Sequence, residues 1–597
     1  MKILNIFLLL ILITNFIYAN NNRALIILNS NSYDEMQVII SDIEKQGCKI
    51  VHIYPPKILI GYIRNDITIK NISGVSGVYN DKINDSEVSS LDELSKLIIN
   101  GWNNEVKHLS KAPAVSPENV TWKDCLIPPD IPQDIINSKR YSPSFFKTPP
   151  EPESWDTSGF MIGKVAIGII FPESVGGNDP STQDWADSEI SNYTTTAQNK
   201  MNFWATSNPK AGLSFVYEIK SKVPITYEPN NYASDTISVE TSGNAKWLPE
   251  VCKYLGYAGV NYFSELRQYC NDLRKKYNTN WAFVLFQVKT ESNKGRSYAY
   301  LGGPFIMNYP FRTDATSHEA GHIFWALDEY SGSGASATDR SGYFGGENGN
   351  YDGPVSCIMK VGDGSSTICD YTKVHVGWRD SNSNSVEDLL EPVPEESGSL
   401  GGAGNYTGIA KAGAYSPRYN GTPTTIKKIV SVTYRVDNGD WNSASATDGS
   451  FNGGYETFTF YPTAETYASN HTLEIKVTDD MGYSFTKTLT TGELPILRGV
   501  NKAVCFPVPF NLRSSVNKMN ILTGSVNTPF TVCVYNMSGE KIRELSQHGT
   551  EIDITSGTAY WDGKNSKGEE VASGIYFIYA SSTGNKVAKG KIVVIKK

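Results

Sequence analysis

Between residues 164 and 290, short runs without polar residues alternate with longer stretches whose apolar positions recur every three to four residues. Residues 165–171 read Val-Ala-Ile-Gly-Ile-Ile-Phe, which suits a strand covered on both faces. Ile190, Tyr193, Ala197, Met201 and Trp204 follow at helical spacing, then a strand at 213–219, a helix at 261–273 and a strand at 281–288. One more strand is expected at 297–301. A helix should begin near Ala315, with Thr313 or Asp314 as its N-cap. This alternation predicts an α/β domain over 156–390 with helices on a twisted sheet.

The flanks follow other rhythms. A strand at 24–28, a helix carrying Met36, Ile39, Ile40 and Ile43 and closed by Gly47, and strands at 49–54 and 58–63 predict a small α/β unit over 20–125. Repeated prolines among polar residues make 126–155 a stiff, extended linker. The Gly- and Ser-rich stretch 391–423 reads as a second linker. Beyond it Val432, Tyr434 and Val436 alternate up to the turn Asp437-Asn438-Gly439, and Phe458, Phe460, Leu473, Ile475 and Val477 keep the period of two. A β-sandwich over 424–495 is expected, and a second β-rich domain over 496–597. Lys2, the apolar run 6–13 and Ile17-Tyr18-Ala19 have the layout of a secretory signal peptide, 1–19, so the mature chain should be exported, without a transmembrane segment.

Composition narrows the function classes. With 597 residues, 40% of them hydrophobic, the chain can build several cores, roughly three to five domains. Its net charge of −8 and dispersed Lys and Arg exclude a nucleic-acid footprint. Eight cysteines suit an oxidising compartment, and their spacing suggests Cys252 with Cys270, Cys357 with Cys369, and Cys505 with Cys533. Cys48 and Cys125 are then paired with each other or free. Cys125, in the segment before the α/β domain, could block a metal as a thiolate, but an inert thiol explains it as well.

The chemistry concentrates in His318-Glu319-Ala320-Gly321-His322. On a helix, i and i+4 share a face about 6 Å apart, so both imidazoles can hold one zinc ion, with Glu319 beside them to take a proton from water. Among chains with this His content the pattern arises by chance in roughly one of a few hundred. Peptide hydrolysis is the implied reaction. A zinc hydrolase needs a third protein ligand. On an unbroken helix Glu329 would lie about 10 Å beyond His322, so the chain must turn after the second histidine.

The motif resembles that of the metzincin metallopeptidases, whose third ligand, His or sometimes Asp, stands six residues after the second His. Asp328 holds that place here, and Cys357-Ile358-Met359 resembles the Met-turn that underlies the zinc. The resemblance implies zinc on His318, His322 and Asp328 with Glu319 as general base, Met359 packing beneath, and Cys357 beside Cys369. Two departures stand out: Asp328 replaces the commoner His, and Trp325 occupies the place of a turn-making Gly, where a left-handed backbone is strained. Glu329 is the alternative ligand. Leu327-Asp328-Glu329-Tyr330 is also similar to the segment after the zinc helix in IgA-peptidase-like enzymes.

Other resemblances are peripheral. Residues 20–125, with Gly74-Val75-Ser76-Gly77-Val78-Tyr79, resemble ferredoxin-like pro-segments of secreted peptidases. Tyr434 to Trp441 with Val477 to Gly482 resembles bacterial surface Ig-like modules. Phe506-Pro507-Val508-Pro509-Phe510-Asn511 and Trp561-Asp562-Gly563-Lys564 resemble C-terminal sorting domains of type IX (Por) secretion.

His375, Tyr330 and Tyr371 are candidates for polarising a carbonyl, with a structural role favoured for His375. The loop 331–356, with Asp339, Glu347, Asn348, Asn350 and Asp352, offers hard oxygen donors that suit Ca2+, but no EF-hand spacing, and a solvated loop shaping the cleft is expected. The expected protein is therefore multidomain: a metzincin-like α/β domain, a small α/β unit before it and two β-sandwiches after it. Its expected activity is that of a secreted or cell-surface zinc endopeptidase acting on proteins or glycoproteins and exported through its C-terminal domain. The alternatives are an adhesion protein with a non-catalytic peptidase-like scaffold, and a hydrolase of a non-protein amide.

Overall fold

The computed structural model describes residues 21–108, 151–232, 246–257, 262–290, 297–309, 315–362, 365, 367–400, 405–416, 418–419, 421–462, 471–490, 503–506, 508–513, 518–523, 529–545, 551–554, 558–582 and 587–596. The expected signal peptide, Cys125 and most of the 126–155 linker lie outside them. The chain forms two compact units, one from residues 1–146, 152–389 and 415–426, the other from residues 147–151, 390–414 and 427–597.

The first unit is built on one nine-stranded sheet. Its strands are β1 (Asn21–Leu28), β2 (Lys49–Tyr54), β3 (Ile58–Arg64), β4 (Val75–Tyr79), β5 (Lys164–Ser174), β6 (Ser214–Ile225), β7 (Trp281–Gln287), β8 (Tyr298–Ala299) and β9 (Phe305–Asn308), in the order β4-β1-β3-β2-β6-β5-β7-β9-β8. The middle is parallel: β6 and β7 flank β5, and β9 flanks β7. Parallel pairing demands cover on both faces, and β7 is buried at all seven positions.

The N-terminal strands belong to this same sheet. β2 pairs parallel with β6, His52 opposite Phe215 and Ile53 opposite Val216. The boundary expected at residue 125 therefore separates segments that share one hydrogen-bonded sheet and one core, in which Ile26, Met36 and Ile53 cluster with Val216, Leu266 and Phe286. That core lies under α1 (Tyr33–Lys45) and, further on, the helices α4 (Leu248–Tyr254) and α5 (Tyr262–Lys276). α2 (Glu93–His108) packs on α3 (Asp187–Ser207), and α3 on α6 (Thr316–Ile323). At Gly101 of α2 an added Cβ would come within 1.9 Å of Thr195 Oγ1, so glycine is what lets α2 approach α3. The Trp204 indole of α3 donates to Ser317 O at 2.9 Å, holding α6 by its first turn.

The second unit consists of sheets only. Strands at Glu395–Leu400, Tyr406–Lys411, Tyr455–Phe460 and Ser445–Ala446 form one sheet, and those at Ile429–Val436, Thr472–Asp479, Ser484–Thr490 and Asn442–Ser443 another. Tyr406, Val432, Phe458, Ile475 and Val477 share their core. The stretch 391–423 is thus not a plain linker, since it supplies two strands. Its glycines have a packing role: a Cβ on Gly408 would meet the Phe458 ring at 2.4 Å. Two further sheets, of four and five strands between Val504 and Ile595, enclose Phe510, Ile521, Val532, Trp561 and Ile578. The chain is multidomain and mostly β by strand number. Among the described residues no helix is long and apolar enough to cross a membrane.

Candidate metal centre

α6 carries His318, Glu319 and His322, all buried, with their helix pressed on β9 and α3. Its N-cap is Ala315, which makes no side-chain cap, while the expected caps Thr313 and Asp314 lie outside the described residues. The imidazoles meet edge to face, ring centroids 4.9 Å apart. Each is fixed from behind: His318 Nδ1 donates to Ile358 O at 2.9 Å, and His322 Nδ1 to Ala326 O at 2.7 Å. A carbonyl only accepts, so Nδ1 carries the hydrogen and Nε2 of each neutral ring presents a lone pair to the opposite side.

The helix then ends as the motif requires. Trp325 adopts φ +73°, the left-handed conformation that a glycine usually supplies. Trp325 N bonds His322 O at 2.9 Å, and Ala326 N bonds Gly321 O at 2.9 Å, the two bonds of a Schellman cap. Such a conformation costs a non-glycine residue roughly 1–2 kcal/mol. Burial of the indole offsets it. The ring packs with Leu301 and Leu327, its Nε1 donates to Ser158 O at 3.1 Å, and Gly302 leaves the space it fills, since a Cβ there would come within 2.4 Å of it. The strain expected at Trp325 is present, and tertiary packing holds it.

Beyond the turn Asp328 comes back to the histidines. Its Oδ1 lies 3.0 Å from His318 Nε2 and 3.3 Å from His322 Nε2. Donors 2.0–2.1 Å from a tetrahedral ion are separated by roughly 3.3 Å, so these spacings match the edges of a zinc coordination shell. Asp328 Oδ1 is buried and faces both imidazoles. Three acceptor atoms facing one another need a positive charge between them. A proton supplies it when no ion does: burial disfavours charge on His318, but the Asp328 carboxylate and then Glu319 outweigh it and push its pKa up to about 10. Against its own burial, the two histidines hold Asp328 well below the usual carboxylate range. The donor set, two imidazoles and a carboxylate, fits zinc.

Glu329, the alternative ligand, faces away. It is fully buried, accepting from Asn350 Nδ2 at 2.5 Å, Thr372 Oγ1 at 2.6 Å and Cys369 Sγ at 2.8 Å. Neighbouring groups pin the segment: Asn348 Nδ2 donates to Asp328 O at 2.7 Å, and Glu329 N to Met359 O at 3.0 Å. Met359 packs under α6, where a Cβ on Gly321 would be 2.6 Å from its Sδ. His375 takes no place among the ligands. Its Nε2 donates to Gly346 O at 3.0 Å and its Nδ1 receives Leu327 N at 3.5 Å, so it braces the residue before Asp328. Burial holds its pKa below the ordinary value. The Tyr330 ring lies 6.5 Å from that of His318, whereas Tyr371 is exposed and covers Gly349.

The loop 331–356 is not simply the solvated loop expected, since Asn348 and Asn350 are buried. Asn348 and Asn350 bond the Asp328-Glu329 segment and Glu347 pairs with Arg340, and among the described residues no metal-holding group of acidic side chains forms there. Among the described residues Cys48, Cys252, Cys270, Cys357, Cys369, Cys505 and Cys533 form no disulfide. Cys505 lies inside the last sandwich, while Cys533 stands at a half-exposed position of its strand, so their expected pairing is not made. The roles of Asn348, Asn350 and Thr372 had no sequence signal of their own, because they act through long-range hydrogen bonds.

No family model and no curated protein matches the chain. Solved structures similar to parts of it include dimeric latent PorU from Porphyromonas gingivalis, with 14% identity over 34% of this chain and 20% of that one and a TM-score of 0.18. PorZ, described as an essential bacterial surface component of the type-IX secretion system of the same organism, has 11% identity over 33% of this chain and 30% of its own, TM-score 0.13. Wild-type OgpA from Akkermansia muciniphila has 10% identity over 59% of this chain and 97% of its own, TM-score 0.17. The chain thus spans less than a third of the first two. At these scores none carries an argument about fold or activity.

Proposed function

We propose that the chain is a secreted zinc-dependent endopeptidase of metzincin type that hydrolyses peptide bonds of extracellular proteins. The observation that supports this best is the convergence of three buried acceptors, His318 Nε2, His322 Nε2 and Asp328 Oδ1, at coordination-edge spacing. Zinc, when bound, supplies Lewis acidity that polarises a carbonyl and lowers the pKa of water. Glu319, buried next to His318, takes the proton of the attacking water and returns it to the leaving amine. The Nδ1–H bonds to Ile358 and Ala326 keep both rings in the ligating tautomer. Tyr330, whose ring lies 6.5 Å from that of His318, is the candidate for polarising a scissile carbonyl. The two β-sandwich regions serve display or export at the cell surface, a reading supported by the likeness of 506–511 and 561–564 to type IX sorting domains.

The test uses the full chain. Metal content is measured by elemental analysis and cleavage of casein and a glycoprotein is followed. Glu319→Ala should keep the wild-type metal content and lose cleavage by about 10²-fold or more. Equal cleavage by both proteins would refute the mechanism, and undiminished metal in a His318→Ala/His322→Ala variant would refute the site.

A further inference from the structure

A second donor cluster lies behind the first and takes no part in the proposed hydrolysis. Glu329, Cys357 and Cys369 are all buried, and one ligand atom from each lies within 4.8 Å of the others. They come from three segments: the residue after Asp328, the residue before the short helix Ile358–Val361, and the N-cap of the helix Asp370–His375. We propose that this cluster is a second, structural metal site, in which Glu329 and the thiolates of Cys357 and Cys369 hold a thiophilic divalent cation of the zinc class.

Two observations point to a cation. Glu329 is fully buried, yet its partners are neutral donors, the Asn350 amide, the Thr372 hydroxyl and the Cys369 thiol. Among the described residues no Lys, Arg or His nitrogen forms an ion pair with it, and a buried carboxylate is costly without a counter-charge. The sulfurs, in turn, receive backbone N–H groups: Cys369 N points to Cys357 Sγ at 3.4 Å and Thr372 N to Cys369 Sγ at 3.4 Å. Thiol sulfur is a weak acceptor and thiolate a strong one, so the bond to Cys357 Sγ favours its ligating form, whereas Cys357, burial and Glu329 keep the proton on Cys369 until a cation displaces it.

The donor type sets the metal. Two sulfurs and one oxygen select zinc over magnesium or calcium, and the carboxylate disfavours Cu(I). Zinc–sulfur bonds of 2.3 Å and zinc–oxygen bonds near 2.1 Å separate the donors by roughly 3.5–3.8 Å. Cys369 Sγ and Glu329 Oε1, 2.8 Å apart, would open by under about 1 Å to admit the ion. Each thiol releases its proton to solvent as its sulfur takes the metal. Such a site ties Glu329 to the segment carrying Met359, and so fixes Asp328 from behind. It does not depend on the catalytic reading.

The experiment counts metal on the full chain expressed with zinc, and repeats the count after loading with Co2+. Two equivalents are expected in the wild type, one in Cys357→Ser/Cys369→Ser, and one in His318→Ala/His322→Ala. Thiolate-to-cobalt charge-transfer absorption in the near ultraviolet should appear in the wild type, in Glu319→Ala and in the double-His variant, and vanish in the double-Cys variant. In the unmutated chain, both thiols should resist alkylation until a chelator is added. Overturning results are a single equivalent lost with the histidines, absence of the charge-transfer band from the double-His variant, or a Cys357–Cys369 disulfide that reacts only after reduction. Loss of cleavage in Glu319→Ala bears on the catalytic reading alone.

Discussion

The left-handed turn at Trp325 can be tested by replacing the indole with residues that differ in tolerance of φ +73°. Trp325→Gly and Trp325→Val both remove the contacts with Leu301 and Leu327 and the bond to Ser158 O. Each should therefore lose about 3–5 kcal/mol of stability, the usual result of deleting a buried aromatic. They differ in the backbone. Glycine adopts the left-handed region freely, whereas valine, β-branched, carries the upper part of a roughly 1–2 kcal/mol penalty. Glycine's looser unfolded chain takes back roughly 0.5–1 kcal/mol. The glycine variant should be the more stable by about 1 kcal/mol, measured by urea denaturation in the presence of chelator. The metal-free fold already carries this strain, so metal binding does not meet it again, and competition titrations should give the two variants similar zinc affinities. Equal stability of the two variants would refute the argument that packing holds Trp325 in a left-handed turn.

Further outcomes follow from named contacts. In the Cys357→Ser/Cys369→Ser background, which lacks the second cluster, Asp328→Ala should lose the metal held by His318 and His322 while Glu329→Ala should retain it; elemental analysis distinguishes them, and retention by Asp328→Ala would remove Asp328 from the ligand set. Gly321→Ala alone should lower the melting temperature, because its Cβ would lie 2.6 Å from Met359 Sδ, but in a Met359→Ala background it should stabilise by up to about 1 kcal/mol through helix propensity. His52 is buried against Tyr217, and burial first, then Arg23, holds its pKa well below the ordinary value. The folded state therefore binds fewer protons than the unfolded one, and the stability this contributes is present above about pH 6.5 and lost as pH falls toward the folded pKa, at up to about 1.4 kcal/mol per unit. Urea midpoints at pH 7.5 and 5.5 should converge less steeply for His52→Leu; an unchanged slope would exclude His52 as the source.

Much of the site was legible because it is local. His318 and His322 share a face through helix periodicity alone, and Glu319 comes with them. The buried strands at 165–171 and 281–288 also announced themselves, since a parallel strand covered on both faces has no polar position. Distance along the chain set the limit. Successive residues in an extended segment point to opposite sides, so Asp328 and Glu329 were bound to part company, but nothing within Leu327 to Tyr330 says which faces the histidines. That choice is made by Trp325, whose strained φ is held by packing with Leu301 and by Gly302, and by Asn348, Asn350 and Thr372, which fix the segment from behind.

The same division runs through the fold. Periodicity marked the strands at 49–54 and 213–219, but their pairing into one sheet is a contact across more than a hundred residues that leaves no local trace. Glycines in 391–423 looked like a linker because a sequence shows the missing side chain and not the Phe458 ring that fills its place. Side-chain chemistry and periodicity fix which residues can ligate and which segments must be buried. Which of two adjacent carboxylates meets the histidines is settled at long range, because it depends on a backbone conformation unfavourable in isolation and stabilised by residues far along the chain.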